Sequence, residues 1–365
     1  MSEYRLDELC EILDSKRVPL SAMQRAKRKG PYPYYGAQSV IDHVDDYLLD
    51  GEYLLVAEDG ANLVTRTQDI ANLVNGKIWV NNHAHILGYN GKCPLRLLGF
   101  LLNNSNISPY VTGCAQPKLN QENLRRITFS LPEKVDEVSS ILSSLDSKIE
   151  NNRKICANLE AQAQALFKHW FIDFAPFKDG KFVESELGMI PEGWRVGTLG
   201  EIAEFVRGKT ITKGETKEGN IPVVAGGLEP AYYHNKSNTS SRVVTISGSG
   251  ANAGFTRMYF SPVWASDCSY IDNESTAFLH TAFCYLLTNK KNVNALQWGA
   301  AQPHVYAKDI NKLPLVIAPS DVLTHFEGFV VSMFDSIDLL EKESSRLSSL
   351  RDTLLPKLMS GEIKV

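Results

Sequence analysis

The chain has 365 residues, 43% hydrophobic and 22% charged, with a formal net charge of −4, so disorder is not indicated and two or three globular domains fit the length. No apolar run approaches the roughly 18 residues of a membrane span, and the opening Met1-Ser2-Glu3-Tyr4-Arg5-Leu6-Asp7 lacks the basic start and apolar core of a secretion signal, so no membrane and a cytoplasmic location are expected. Six cysteines, at positions 10, 93, 114, 156, 268 and 284, form no C-x-x-C, which suits reduced thiols rather than a disulfide framework or a metal site.

A first block, residues 1–133, opens with Leu6, Glu8, Leu9 and Ile12 and then the basic stretch Arg25-Ala26-Lys27-Arg28-Lys29 with Tyr32, Tyr34 and Tyr35. Short β-branched or aromatic runs follow, among them Tyr53-Leu54-Leu55-Val56 and Lys77-Ile78-Trp79-Val80, separated by Gly, Asn and Ser, which predicts strands. Between and after them stand Gly60-Ala61-Asn62 with Thr65-Arg66, a short helix over 94–103, Gly113-Cys114-Ala115-Gln116-Pro117 with Lys118, and a last apolar strand over 127–131 ended by Pro132. His83 and His85, two apart on an apparent strand, read as a satisfied surface pair, because no carboxylate or cysteine cluster accompanies them.

Residues 134–172 predict one long helix whose Val138, Leu142, Leu145, Ile149, Asn152, Cys156, Leu159, Ala163, Leu166 and Trp170 alternate spacings of four and three. A polar, turn-rich linker, 173–193, leads to a second block, 194–319, and a second long helix and tail, 320–365. Strands are expected at Arg242-Val243-Val244-Thr245-Ile246, Pro262-Val263-Trp264 and 313–317, with a helix over 277–288. In the last helix Phe326, Val330, Met333, Ile337, Leu340, Ser344, Leu347, Arg351, Leu354 and Leu358 repeat the rhythm of the first. Such a 3.5-residue stripe winds a helix against another helix rather than a sheet. Pro356 predicts a kink or stop near Leu355, and Gly361 an end beyond it. Asn152 and Arg351 interrupt the stripes; fixing register and sitting at a frayed edge are both open readings.

The two halves share landmarks in one order. Leu6, Glu8, Leu9 and Ile12 answer Leu199, Glu201, Ile202 and Phe205; Gly60-Ala61-Asn62 answers Gly250-Ala251-Asn252; Arg66 answers Arg257; Trp79 answers Trp264; and Gln116-Pro117 answers Gln302-Pro303. Ordered matches with a register-matched helix behind them imply tandem duplication, hence one scaffold used twice with pseudo-two-fold symmetry. Charge follows the same division: the blocks are neutral and +2, while each helical region is −3, placing acid where a protein partner or plain solvent can face it.

Catalytic constellations are missing. Gly208-Lys209-Thr210 resembles the end of a phosphate loop, but Ala203 stands where that motif needs glycine, and there is no G-x-S-x-G, H-E-x-x-H, G-x-G-x-x-G after a strand, or methyl-acceptor segment. No enzyme activity, cofactor or metal is expected.

Ile190-Pro191-Glu192-Gly193-Trp194 and Leu199-Gly200-Glu201-Ile202 opening the second block, Leu354-Leu355-Pro356-Lys357-Leu358-Met359-Ser360-Gly361-Glu362-Ile363 closing the chain, the Gln-Pro pairs, and Leu159-Glu160 with Leu166-Phe167 together resemble the specificity subunit of type I restriction-modification systems. The resemblance covers essentially the whole chain. It implies an α+β fold of two strand-rich target recognition domains separated by an antiparallel helical coiled coil. It also implies a non-catalytic protein that binds an asymmetric bipartite site on double-stranded DNA and recruits two methyltransferase subunits and restriction subunits. At about 1.5 Å per residue a helix over 138–170 spans roughly 50 Å, enough for two readers to meet grooves a turn or slightly more apart, so the helices are expected to act as a ruler.

Base reading needs donors and acceptors beside cations that hold phosphates. The candidates are Arg25, Lys27, Arg28, Lys29, Tyr32, Tyr34, Tyr35, Asn62, Arg66, Gln116 and Lys118 in the first block. In the second they are Lys209, Lys213, Tyr232, Tyr233, His234, Asn252, Arg257, Gln302 and His304. A solvated loop is the plain alternative for the basic stretch. The recurrent Gly60, Gly250, Pro117 and Pro303 are expected to shape loops rather than read bases. The alternative function is a pseudo-symmetric protein-interaction scaffold that does not bind DNA, distinguished by salt-dependent binding to random duplex.

Overall fold

A computed structural model describes residues 2–113, 115–299, 302–360 and 362–363, so Cys114, the Ala300-Ala301 part of the repeated loop and the helix-ending Gly361 lie outside the described residues. The chain divides into two units, Met1–Glu150 with Ser344–Val365, and Asn151–Glu343.

The first unit is built on a six-stranded sheet in the order Cys10–Ile12, Ala84–Tyr89, Leu49–Ala57, Ala71–Val80, Lys29–Tyr35, Val40–Val44. Neighbours are antiparallel except Lys29–Tyr35, which runs parallel to Ala71–Val80 with Tyr34 opposite Trp79. Side chains alternate along a strand, so the apolar run at its centre supplies both faces. Leu54, Val56 and Leu87 join one core with the helix Leu95–Asn104, while Leu49, Leu55, Ile78, Val80 and Ile86 make the other. Ser2–Arg5 pairs separately with Thr128–Leu131.

Two helical stretches complete this unit. Val138 and Leu142 from the long helix Val135–Phe171 are buried with Leu355 and Leu358 from the last helix, Ser320–Ser360, in the core that holds Leu54. Arg351 donates to Asp146 at 2.9 Å and lies over the Phe100 ring at 5.4 Å. Of the kink or stop expected near Leu355, the stop does not occur: the helix runs on through Pro356 to Ser360. Leu355 and Leu358 on either side are 4% and 3% exposed, and their burial offsets the one backbone bond a proline forfeits.

In the second unit the sheet order is Val206–Arg207, Cys268–Asp272, Val243–Ser247, Thr256–Tyr259, which repeats the first four strands of the larger sheet element for element. Three further strands form a separate ladder, Tyr232–His234, Ile221–Val224, Trp264–Ala265, in which Val223 lies parallel and opposite Trp264. Where the first unit has one unbroken strand, Ala71–Val80, the second has two, parted at Phe260-Ser261-Pro262-Val263. Pro262 has no N–H for a ladder, so the break is local chemistry. Arg195–Thr198 pairs with Pro314–Ile317 as Ser2–Arg5 does with Thr128–Leu131. The expected strand at Arg242 begins one residue later, because Arg242 has a positive φ of 61°.

The helical stretches of this unit pack tightly. Phe326 is fully buried against Phe167, Trp170 and Phe171, with ring centroids 5.9, 5.7 and 4.8 Å away. Asn152, fully buried, donates from Nδ2 to Glu343 at 2.7 Å. Of the seam, Leu142, Ile149, Asn152, Val330 and Ile337 are buried, and Leu145, Leu159, Leu166, Met333, Leu340, Leu347 and Leu354 half-buried. The narrow-stripe expectation needs widening: Leu323, Glu327 and Phe334 are buried as well, because this face meets the helix Leu279–Thr288. Glu327 is its anchor. It accepts from the His280 and Thr281 backbone N–H at 3.0 and 2.9 Å, from His280 Nδ1 at 2.6 Å and from Thr281 Oγ1 at 2.6 Å, satisfying two of the donors that a helix start leaves open.

Candidate nucleic-acid interface

Two loop motifs far apart in sequence meet in each unit. In the first, Thr112 and Lys118 exchange backbone hydrogen bonds at 2.8 and 2.7 Å, closing a narrow hairpin with Gln116 near its tip. The N–H of Gly60 then donates to the Pro117 carbonyl at 3.1 Å, tying the Gly-Ala-Asn turn to the Gln-Pro loop. In the second unit Trp298 and His304 exchange bonds at 2.9 and 2.8 Å, and Gly250 donates to Pro303 at 3.0 Å. A Cβ on Gly113 would lie 2.5 Å from the Gln116 carbonyl oxygen, and its φ of 84° suits glycine alone. The backbone frame is thus the same twice, while the flanking side chains differ: Thr112 and Lys118 in one, Trp298 and His304 in the other.

The two tryptophans at matched positions serve the frame. Trp79 donates from Nε1 to the Val18 carbonyl at 2.7 Å, and Trp264 to the Lys209 carbonyl at 2.8 Å. Each thereby pins the segment carrying nearby basic side chains.

Several candidates turn inward. Tyr34, 1% exposed, accepts from the Leu20 N–H at 2.8 Å. Tyr232 donates to the Ile211 carbonyl, and buried His234 accepts from the Lys217 N–H at 3.0 Å while its ring packs on Trp264. Asn62 donates to Gln38 and to the Gln68 carbonyl at 3.2 and 3.0 Å, holding its own loop. Arg66, with φ of 50°, donates to the Leu102 carbonyl at 2.9 Å and to that of Asn103, ending the helix Leu95–Asn104; burial lowers its pKa. Arg257 stays partly outward: it donates to the Leu228 carbonyl at 3.1 Å, pairs with exposed Glu229 at 3.6 Å and lies over Tyr259.

The basic stretch is partly neutralised. Arg25 pairs with Asp42 at 3.2 Å and Arg28 with Asp45 at 2.9 Å, and Lys29 also reaches Asp42. Lys29, then the His43 N–H and Arg25, hold the Asp42 carboxyl down at about 2. Arg28 stacks over Trp79 at 4.7 Å. Lys27 is exposed, Tyr32 packs against Tyr47 with Lys77 nearby, and Tyr35 is half-buried, its hydroxyl pKa raised by that burial.

What remains outward is concentrated at the hairpins and the strands beside them. Gln116, Lys118, Lys209, Lys213, Tyr233 and Gln302 are exposed, and Asn252 and His304 half-exposed. His304 stacks on Tyr306 with the rings 11° from parallel, and Trp298 is 64% exposed beside it. Sequence reasoning omits Trp298, Tyr306 and Arg207. The signal for Trp298 is its place immediately before the repeated Gly299, in the slot occupied by Thr112 in the first copy.

A buried polar network underlies the first hairpin. His85 is 0% exposed and not part of a surface pair, and His83 sits in the turn before the strand against Asp59 at 2.7 Å. His85 is inside because its strand is covered on both faces, so every residue from Ala84 to Gly88 is buried. Its Nδ1 lies 2.6 Å from Asp14 Oδ2 and its Nε2 2.7 Å from the Leu119 carbonyl oxygen, one residue past the hairpin. Asp14 also accepts from the Ile86 N–H at 3.0 Å and from Gln121 at 3.0 Å. Burial pushes the Asp14 carboxyl up, but His85, the Ile86 N–H and Arg17 outweigh it and hold it below the usual range. Glu58 is lowered in the same way, against burial, by Arg17, His85 and Lys118. Among the described residues no helix is long and apolar enough to cross a membrane, and no three His, Cys, Asp or Glu side chains come together as a metal would require.

Residues 1–161 and 191–323 match the family model of the type I restriction modification DNA specificity domain. The chain is 30% identical over 303 residues to the type I restriction enzyme MjaIX specificity subunit of Methanocaldococcus jannaschii, covering 73% of this chain and 69% of that one. It is 26% identical over 397 residues to the putative specificity subunit S.HindORF215P of Haemophilus influenzae, covering 96% and 94%. Its fold is similar to the crystal structure of a type I restriction-modification S subunit from M. genitalium, at TM-score 0.55 and 18% identity, over 98% of this chain and 95% of that one.

Proposed function

The chain belongs to the type I restriction-modification DNA specificity family and is a non-catalytic specificity subunit, and on that footing we propose that its two repeated units each read one short block of base pairs in double-stranded DNA. The target is then bipartite, and it is asymmetric because the units present different side chains. Methyltransferase subunits, and for cleavage restriction subunits, assemble on it and carry the chemistry.

The observation that carries this reading is the pair of hairpins: one backbone frame, anchored twice by the same glycine-to-proline bond, displaying Thr112, Gln116 and Lys118 in one unit and Trp298, Gln302 and His304 in the other. A reader needs a rigid frame with variable donors, acceptors and aromatic surface on it. Exposed Lys27, Lys209 and Lys213 supply cations for phosphates. Candidate side chains that turn inward, such as Tyr34, His234, Asn62 and Arg66, act here through the frame.

The test is electrophoretic mobility of the full chain on random duplex at rising salt, followed by methylome mapping in cells that also express the methyltransferase subunits. Binding that weakens steeply with salt and a two-block methylated site are expected. Salt-independent association, or no bound duplex at all, refutes the reading in favour of a protein scaffold.

A further inference from the structure

The two copies place very different contents at the foot of their hairpins. Strand pairing fixes the correspondence. Val56 faces His85 in the first unit as Ile246 faces Ser269 in the second. The Glu58 N–H donates to the His83 carbonyl as that of Gly248 does to the Asp267 carbonyl, and the Leu119 N–H donates to the Glu58 carbonyl as that of Val305 does to the Gly248 carbonyl. By the same registers, Asp14 corresponds to Arg207 and Gln121 to Ala307. The first unit therefore fills this place with Asp14, Glu58, His85 and Gln121. The second puts Arg207, Gly248, Ser269 and Ala307 there.

Three bulky polar side chains have become glycine, serine and alanine, and the carboxylate has become a guanidinium. The result is a cleft of about 160 Å3, lined by Arg207, Gly248, Asp267, Ser269, His304 and Ala307 among others. The Ser249 hydroxyl donates to Asp267 Oδ2, which orients the carboxylate so that Oδ1 faces Arg207 at 3.7 Å. The Arg207 side chain is 67% exposed and that of Asp267 37%. Such an ion pair, largely in solvent, contributes little to stability, so the Arg207 guanidinium is not spent on holding the fold.

We propose that this cleft is a base-reading site of the second unit, in which Arg207 and Asp267 recognise a G·C pair through its major-groove edge. The chemistry is complementary: guanine presents O6 and N7 acceptors to a guanidinium fork, and the neighbouring cytosine presents an N4 amino donor to a carboxylate. An A·T pair offers an adenine amino group to the fork and a thymine O4 to the carboxylate, mismatched at both. The first unit, with its corresponding place filled, reads without this contact. The inference rests on the DNA-reading function above.

The experiment selects bound sequences from a random duplex library with the full chain and with three variants, Arg207→Lys, Arg207→Ala and Asp267→Asn. The unaltered chain should enrich a two-block site; if it enriches none, the DNA-reading function itself fails, and this inference with it. Given that site, each variant should lose preference for G·C at a single position of one block, by about tenfold to a hundredfold, with the other block unchanged. Arg207→Lys keeps the charge and loses the fork, so it separates base reading from phosphate contact. Retained preference in Arg207→Lys, with Arg207→Ala weakening all sequences evenly and flattening the salt dependence, would overturn the proposal.

Discussion

Replacing His85 with leucine tests whether the buried network braces the first hairpin. The substitution leaves the Leu119 carbonyl without its donor, a loss of about 1–3 kcal/mol for a buried acceptor. It also takes away the imidazole 2.6 Å from the Asp14 carboxylate, and a buried carboxylate left short of a hydrogen-bond donor costs about 1–3 kcal/mol or more. Here Arg17, Gln121 and the Ile86 N–H still serve Asp14, which discounts that figure, so a loss of about 2–4 kcal/mol is expected. Adding Asp14→Asn removes the carboxylate charge while keeping an acceptor for the Ile86 N–H. The double variant should recover at least about 1 kcal/mol of that loss, because groups in one network do not add. Urea unfolding followed at the first unit, with hydrogen exchange of the Lys118 amide, measures both stability and the hold on the hairpin. Additivity of the two changes to within about 0.5 kcal/mol would refute the brace.

Four further outcomes follow from the same geometry. Glu327→Ala strands two buried N–H groups at the start of Leu279–Thr288 and should cost the second unit about 3–5 kcal/mol, roughly 10 °C in Tm; a shift of under about 2 °C contradicts its anchoring role. Phe326→Ala, at a fully buried aromatic, should cost about 3–5 kcal/mol by thermal unfolding, and a near-neutral result would mean that the helical contact in that unit is dispensable. Asp14 and Glu327 both titrate below their ordinary carboxyl values of 3.8 and 4.5 in the folded chain, so the stability they contribute is fully present above those values. It is lost as pH falls through the lowered folded pKa values, and acid titration monitored by circular dichroism should show that loss starting below about pH 4.5, not near neutrality. Cys10, Cys93 and Cys268 have thiols pushed up to about 12 by burial, so site-resolved alkylation at pH 8 should leave them unmodified until denaturant is added.

Much of this architecture is legible in the residues alone, because duplication and heptad spacing are patterns along the chain. The repeated seam, the matched Trp79 and Trp264, and the short helices near 94–103 and 277–288 all appear as structure close to where they are expected. What is not legible is which loops meet. Gly60 and Pro117 are separated by most of a domain, and only strand pairing brings the turn to the hairpin. Burial of polar groups is equally hidden: Tyr34, His85 and His234 look like surface chemistry in a list of residues, yet they sit on strands whose faces other parts of the chain cover. The persistence of the last helix through Pro356 is a tertiary outcome, decided by Leu355 and Leu358 rather than by local propensity. Arg207 and Asp267 escape notice because neither sits in a repeated motif; their meaning comes from being unlike Asp14 and His83 at the same two addresses.

The gap at Phe260-Ser261-Pro262-Val263 bears on how each copy can tolerate added or lost residues. In an uninterrupted strand such as Ala71–Val80, a single inserted residue shifts the pairing of everything beyond it and sends each later side chain to the opposite face. The second copy is already interrupted at that point, so a residue added at Ser261-Pro262 need not shift the register of the ladder on either side, which buried Val263 holds through its bonds to Thr239.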